Sequence, residues 1–138
     1  MEAKEAATAW VEAWCTGWAR HDPDVIAERY ADDCEFVSQP FRAPLRGRDG
    51  ARTYAAQAFA DERSARFRFG EPIVGTDGRA AVEYWAIITD LNGQRVTLTG
   101  VTVLRFDPEG HVLEHRDHWA TTQGERRPPA SVLGGDAF

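Results

Sequence analysis

The second half of the chain settles most of what it can fold into. Residues 66–121 read as four extended segments, 66–74, 79–90, 95–106 and 111–121, separated by turn sequences. Asn92-Gly93 is a strong hairpin signal, because a two-residue turn needs positive φ and these residues tolerate it. Asp107-Pro108-Glu109-Gly110 marks another turn. Strands joined this closely form an antiparallel meander, and one of its faces has to be covered. The first half of the chain supplies the cover. Trp10, Trp14 and Trp18 recur every fourth residue with Val11 beside them, which predicts a helix over 3–20 with one wide aromatic stripe. Asp22-Pro23 is an N-cap followed by proline at the first helical position, opening a short helix to about residue 30 with Val25 and Ile26 inward. Residues 34–39 read as a strand ended by Pro40 and Pro44. Asp49 caps a third helix, about 50–61, with Tyr54, Ala58 and Phe59 apolar. This order predicts an α+β fold with the helices on one face of a curved sheet.

The length of 138 residues suits one domain. We read 1–122 as its body. Residues 123–138 read as a tail in which Pro128, Pro129, Gly134 and Gly135 weaken order. Val132, Leu133 and Phe138 would suit that tail to lid a pocket or pack on a partner; otherwise it stays disordered. The net charge of −6 argues against nucleic acid, which requires a basic face. No apolar run approaches the roughly 20 residues of a membrane helix, and residues 1–9 carry no apolar secretion signal. Cys15 and Cys34 are the only cysteines. They allow no disulfide framework, so two free thiols in a reducing cytoplasm are expected. His115 and His118 lie three apart on a strand and point to opposite faces, so no metal site is expected from them.

Several stretches resemble the nuclear transport factor 2-like superfamily. They are the helical stripe before His21-Asp22, Tyr30-Ala31-Asp32-Asp33, Gly47-Arg48-Asp49-Gly50, Leu104-Arg105-Phe106-Asp107 with Gly110, and Arg116-Asp117-His118-Trp119. The resemblance spans about residues 8–120. It implies a cone of curved antiparallel sheet closed by three helices, a cystatin-like α+β barrel, often dimeric through the outer sheet face. Fold does not choose among the superfamily's activities, so site residues must. By register with its ketosteroid isomerases, the base falls on Ser38, the tyrosine donor on Trp14 and the aspartic acid donor on Thr102, so that site is not kept. The Arg and Asp of limonene-type epoxide hydrolases fall on Glu83 and Trp85, leaving only Asp117 of that set and an epoxide site only in rearranged form. The SnoaL-like, polyketide cyclase-like branch relies chiefly on one last-strand aspartate, and Asp117 is similar to it in place and context.

The resemblance therefore implies a cofactor-independent cyclase, isomerase or lyase acting on a small hydrophobic carbonyl compound. Asp117 would be the acid/base, assisted by His115 or Glu83. The same register places Glu83, Trp85, Ile87, Thr102, His115, Asp117 and Trp119 toward a pocket. Trp14, Trp18, Tyr30, Phe36, Ser38, Tyr54 and Phe59 would line it from the other side, with Trp10 in the core. The residues leave a second class open, a non-catalytic small-molecule binding protein of the same fold. A third is an interaction subunit pairing through Glu114, Arg116 and His118, as a homodimer would.

Overall fold

The structure, a computed structural model, describes residues 1–133. Helix α1 spans Ala3–Arg20 and buries Trp10, Trp14 and Trp18 together with Ala6, Ala7, Ala13 and Gly17. It ends where His21 turns left-handed, at φ 53°, and Asp22 N–H closes back on the Gly17 carbonyl. Helix α2, Pro23–Ala27, starts as expected, with the Asp22 carboxylate accepting from Asp24 N–H. A Cβ at Gly17 would sit 2.6 Å from Ile26 Cγ1, so glycine is what lets α2 fold back against α1. The helix stops three residues short of its expected end. Tyr30 instead opens strand β1, Tyr30–Val37.

Strand β2 is the pair Leu45–Arg46, followed by helix α3, Gly47–Ala60. The remaining strands are β3, Glu62–Phe69; β4, Ile73–Val74; β5, Ala80–Asp90; β6, Arg95–Phe106; and β7, Val112–Gln123. The single strand expected over 66–74 is thus two. Pro72 has no N–H for a ladder and interrupts it. The sheet runs β2-β1-β7-β6-β5-β3, with β4 also on β5, and is curved and unclosed. The meander β3-β5-β6-β7 is antiparallel, as expected, but β1 joins β7 in parallel, so the sheet is mixed. The connection between them carries all the intervening elements, which is the long crossover a parallel pair needs.

Helices α1 and α3 cover the inner face of the sheet. There Val82, Ala86, Leu104 and Val112 meet Trp10, Trp14, Trp18, Ala51, Ala55 and Phe59 in one core. Beyond β7 the chain turns at Gly124 and crosses the outer face. Thr97 Oγ1 donates to Gly124 O and accepts from Arg126 N–H, while Trp85 Nε1 donates to Arg126 O. Glu125 pairs with Arg66 and Arg95. Residues 124–126 therefore lie on the outer side of the sheet. Gly134, Gly135 and Phe138 lie outside the described residues.

Candidate active site

Cross-strand register builds the site. Thr102 on β6 faces Val82 on β5 and Asp117 on β7. Side chains two apart along a strand share a face, so His115, Asp117 and Trp119 point inward with Thr102. Tyr84 faces Gly100, which faces Trp119. A Cβ at Gly100 would lie 2.8 Å from that of Trp119, so a side chain there has no room. These strands and the aromatic stripe of α1 enclose a cavity of about 300 Å³, with Tyr54 and Phe59 of α3 closing one side.

At one end of the cavity a chain of hydrogen bonds starts on α1 and finishes at His115, beside Asp117. Trp10 Nε1 and Trp14 Nε1 both donate to the Tyr30 hydroxyl oxygen, at 2.9 and 3.1 Å. Burial pushes the Tyr30 pKa well above its usual value, against the lowering effect of the two indole bonds, so the phenol keeps its proton. With its oxygen accepting twice, that proton goes to His115 Nδ1, 2.9 Å away. The network thus assigns Nδ1 as acceptor and Nε2 as the N–H of His115. Phe36 stacks on the imidazole at 3.8 Å and 16°, holding the ring plane. His115 Nε2 lies 2.9 Å from Asp117 Oδ2. The carboxylate sits off the N–H axis, however, so Nε2 has an electrostatic neighbour and no aligned hydrogen bond among the described residues. The other Asp117 oxygen accepts from Thr102 Oγ1 at 2.6 Å. An ionised carboxylate offers about four lone-pair sites, so Asp117 retains acceptor capacity for a ligand proton.

Two phenols also line the cavity, Tyr54 and Tyr84. Burial first and the Asp117 charge second push the Tyr54 pKa up to about 12. The same two causes, in the same order, raise Tyr84 further. Both hydroxyls therefore stay protonated near a negative charge; Tyr84 is hydrogen-bonded to Thr102, and Tyr54 is the one with its proton available to a ligand oxygen.

Two further acids line the cavity, Asp61 just after α3 and Glu62 at the start of β3. Glu62 is only 7% exposed. Trp18 Nε1 reaches both its oxygens, at 3.1 and 2.9 Å, and His21 Nε2 lies 3.2 Å from Oε2. Burial raises its pKa, partly offset by these bonds. His21 is itself stacked flat on Phe59 at 5.1 Å.

The structure brings together Asp117, His115, Trp14, Trp18, Tyr54, Phe59, Thr102 and Trp119 on the cavity wall. Trp10, expected in the core, joins them there. Tyr30 and Phe36 are fully buried behind the wall, holding His115. Ser38 is buried just past β1, where its carbonyl accepts from Trp119 Nε1 at 2.6 Å. Glu83 and Trp85 are not in the site. The inner face of β5 is Val82, Tyr84, Ala86 and Ile88, which turns Glu83, Trp85 and Ile87 outward. Glu83 is exposed, and Trp85 bonds the tail. Tyr84 and Glu62 are the residues the sequence reading missed. Glu62 was hidden in Asp61-Glu62-Arg63, which reads as a polar loop after a helix. Away from the cavity, Asp107, Glu109 and His111 converge on the β6–β7 turn. Asp107 Oδ1 accepts from the backbone of the other two there, so the cluster is the turn's own frame.

With this geometry in place, comparison with known proteins adds the following. A family model described as the SnoaL-like domain matches residues 11–115. No curated protein matches the sequence. Among solved structures, the chain is similar to the epoxide hydrolase/cyclase-like enzyme SalBIII, described in connection with pyran ring formation in the polyether salinomycin. The TM-score is 0.72 at 23% identity, covering 88% of this chain and 95% of that one. It is also similar to RV0760c from Mycobacterium tuberculosis, with a TM-score of 0.74 at 15% identity, covering 90% and 98%. Identities this low speak for the fold alone.

Proposed function

The chain belongs to the SnoaL-like domain family, and from that premise we propose that it is a cofactor-independent enzyme acting on a small hydrophobic carbonyl compound. The Asp117 carboxylate takes a proton from the carbon next to the carbonyl. The Tyr54 hydroxyl donates to the oxygen that becomes the enolate, while Tyr84 supports Thr102 beside Asp117. The enolate then closes a ring by aldol attack, takes the proton back at another carbon, or expels a leaving group. Asp117 serves as acid for the return proton. His115 is held with its Nε2–H beside Asp117 and keeps the carboxylate in place. Most of the remaining gain is proximity, because the cavity folds the substrate against these groups.

The observation that carries this reading is the pairing of one carboxylate with protonated phenols inside an apolar cavity. The test is deuterium exchange at the acidic carbon of a ring-bearing β-keto ester, followed by NMR in heavy water. General-base catalysis contributes about 10²–10⁴-fold, so Asp117→Asn should lose that factor with its fold intact. Exchange retained in the variant removes Asp117 from the mechanism.

One observation favours a second reading, a binding protein that does no chemistry. Both Asp117 oxygens already have a polar neighbour close by, Thr102 on one and His115 on the other, as a structural carboxylate would. That reading expects ligand binding without any exchange above buffer. Epoxide opening, the chemistry in the description of SalBIII, would need a second acid at the reacting centre. It is the third choice.

A further inference from the structure

Glu62 is a buried carboxylate that the proposed chemistry does not use. Burying an ionisable group is costly unless something repays it. Here the structural return is modest: one indole N–H shared by its two oxygens, plus one half-exposed imidazole. A neutral acceptor at this position would satisfy Trp18 as well. The carboxylate nevertheless lines the same cavity as Asp117, its side chain 5% exposed.

Asp117 and Glu62 are both tied back to helix α1, the first through Tyr30 and His115 and the second directly. Trp14 Nε1 anchors the Tyr30–His115 chain beside Asp117, and Trp18 Nε1 anchors Glu62. Four residues of α-helix advance about 6 Å, which sets Trp14 and Trp18, and the polar groups they hold, apart along the cavity. Between them the walls are apolar: Phe69, Ile88, Leu98 and the tryptophan rings. Trp18 itself is stacked flat on Phe67 at 4.4 Å, which fixes its indole N–H on Glu62; with His21 beside Oε2, the carboxylate still has lone pairs to offer a ligand.

We propose that Glu62 is a specificity-determining residue that accepts a hydrogen bond from a hydroxyl on the far end of the substrate. The substrate class is then a compact ring compound with a carbonyl at the Asp117 end and a hydroxyl at the Glu62 end. This rests on the cavity being the substrate site, and deepens that reading. A hydroxyl suits the position better than an ammonium, which would have to shed its hydration beside tryptophan and phenylalanine rings.

Equilibrium binding tests it without any turnover. The probes are 6-hydroxy-1-tetralone and 1-tetralone, which differ by the distal hydroxyl alone, titrated against tryptophan fluorescence. Hydrogen bonds to charged groups discriminate by roughly ten- to a hundredfold. The wild-type protein should therefore prefer the hydroxylated probe by about that factor. In E62Q, and in E62M, which has no oxygen acceptor, the preference should fall to within about threefold while 1-tetralone binds as before. Asp117→Asn should keep the full preference, which separates this proposal from the acid/base assignment. An equal loss of both probes in the Glu62 variants would show a purely structural acceptor and overturn the proposal. So would a wild-type protein that binds the two probes alike, or binds neither.

Discussion

Replacing Tyr30 by Phe removes one oxygen and no volume to speak of, yet it strikes three hydrogen bonds at once. Tyr30 is completely buried, and its hydroxyl accepts from Trp10 and Trp14 and donates to His115. In Tyr30→Phe both indole N–H groups lose their acceptor. An unpaired buried donor costs about 1–3 kcal/mol, and His115 Nδ1 loses its donor as well. Some relaxation is expected, so we place the loss at about 3–5 kcal/mol, a large share of the 5–15 kcal/mol typical of a whole domain. Urea unfolding followed by far-ultraviolet circular dichroism measures it, with an unchanged slope showing that the denatured state is unaltered. Tyr54→Phe is the control. Its hydroxyl faces the cavity, and its removal should cost under about 1 kcal/mol. The histidine is a second readout. With the phenol gone, nitrogen-15 shifts of His115 should no longer report a single tautomer protonated at Nε2. If Tyr30→Phe costs less than about 1 kcal/mol, or leaves the tautomer untouched, the proton order derived above is wrong.

Glu62 makes stability depend on pH. Its folded pKa lies above the reference of 4.5, so the folded state binds its proton more tightly than the unfolded chain does. That contribution is fully present below pH 4.5 and is lost as pH rises through the folded pKa. Urea midpoints for E62Q should lack this decline, and a wild-type slope in E62Q would refute the assignment. We also expect a homodimer through the outer face of β7, where Glu114, Arg116 and His118 point away from the cavity. Light scattering should give twice the 15.4 kDa chain mass, and a monomer at micromolar concentration would overturn it.

The helix carrying the tryptophan stripe and the β5–β6–β7 meander were legible because periodicity there had one reading. The inward face of β7 was not, since both its faces are mixed, and Asp117, His115 and Thr102 were placed by the family resemblance instead. The face of β5 was not legible, and the tail explains why. Ile87 points outward yet is only 2% exposed, and Trp85 beside it is held by Arg126 O. With both faces of the strand apolar, alternation carries no sign. Tyr30 was read as a pocket phenol because a sequence cannot show that its oxygen is already saturated. Glu62 was missed for a different reason, since a buried acid just after a helix looks the same as an exposed one. Among the described residues no helix is long and apolar enough to cross a membrane.

The tryptophan helix works as a ruler. Its indole N–H groups recur at four-residue intervals: those of Trp10 and Trp14 hold Tyr30, and that of Trp18 holds Glu62. A ruler of this kind cannot be stretched at one mark. Inserting a single residue between Trp14 and Trp18 would turn the lower mark by about 100° and detach Glu62 while leaving Asp117 in place. With Glu62 as the proposed anchor of the substrate's far end, the reach of the site is set by where Trp18 stands on the helix. A relative that handles a longer molecule would have to move its second polar group to a new rung rather than widen the sheet.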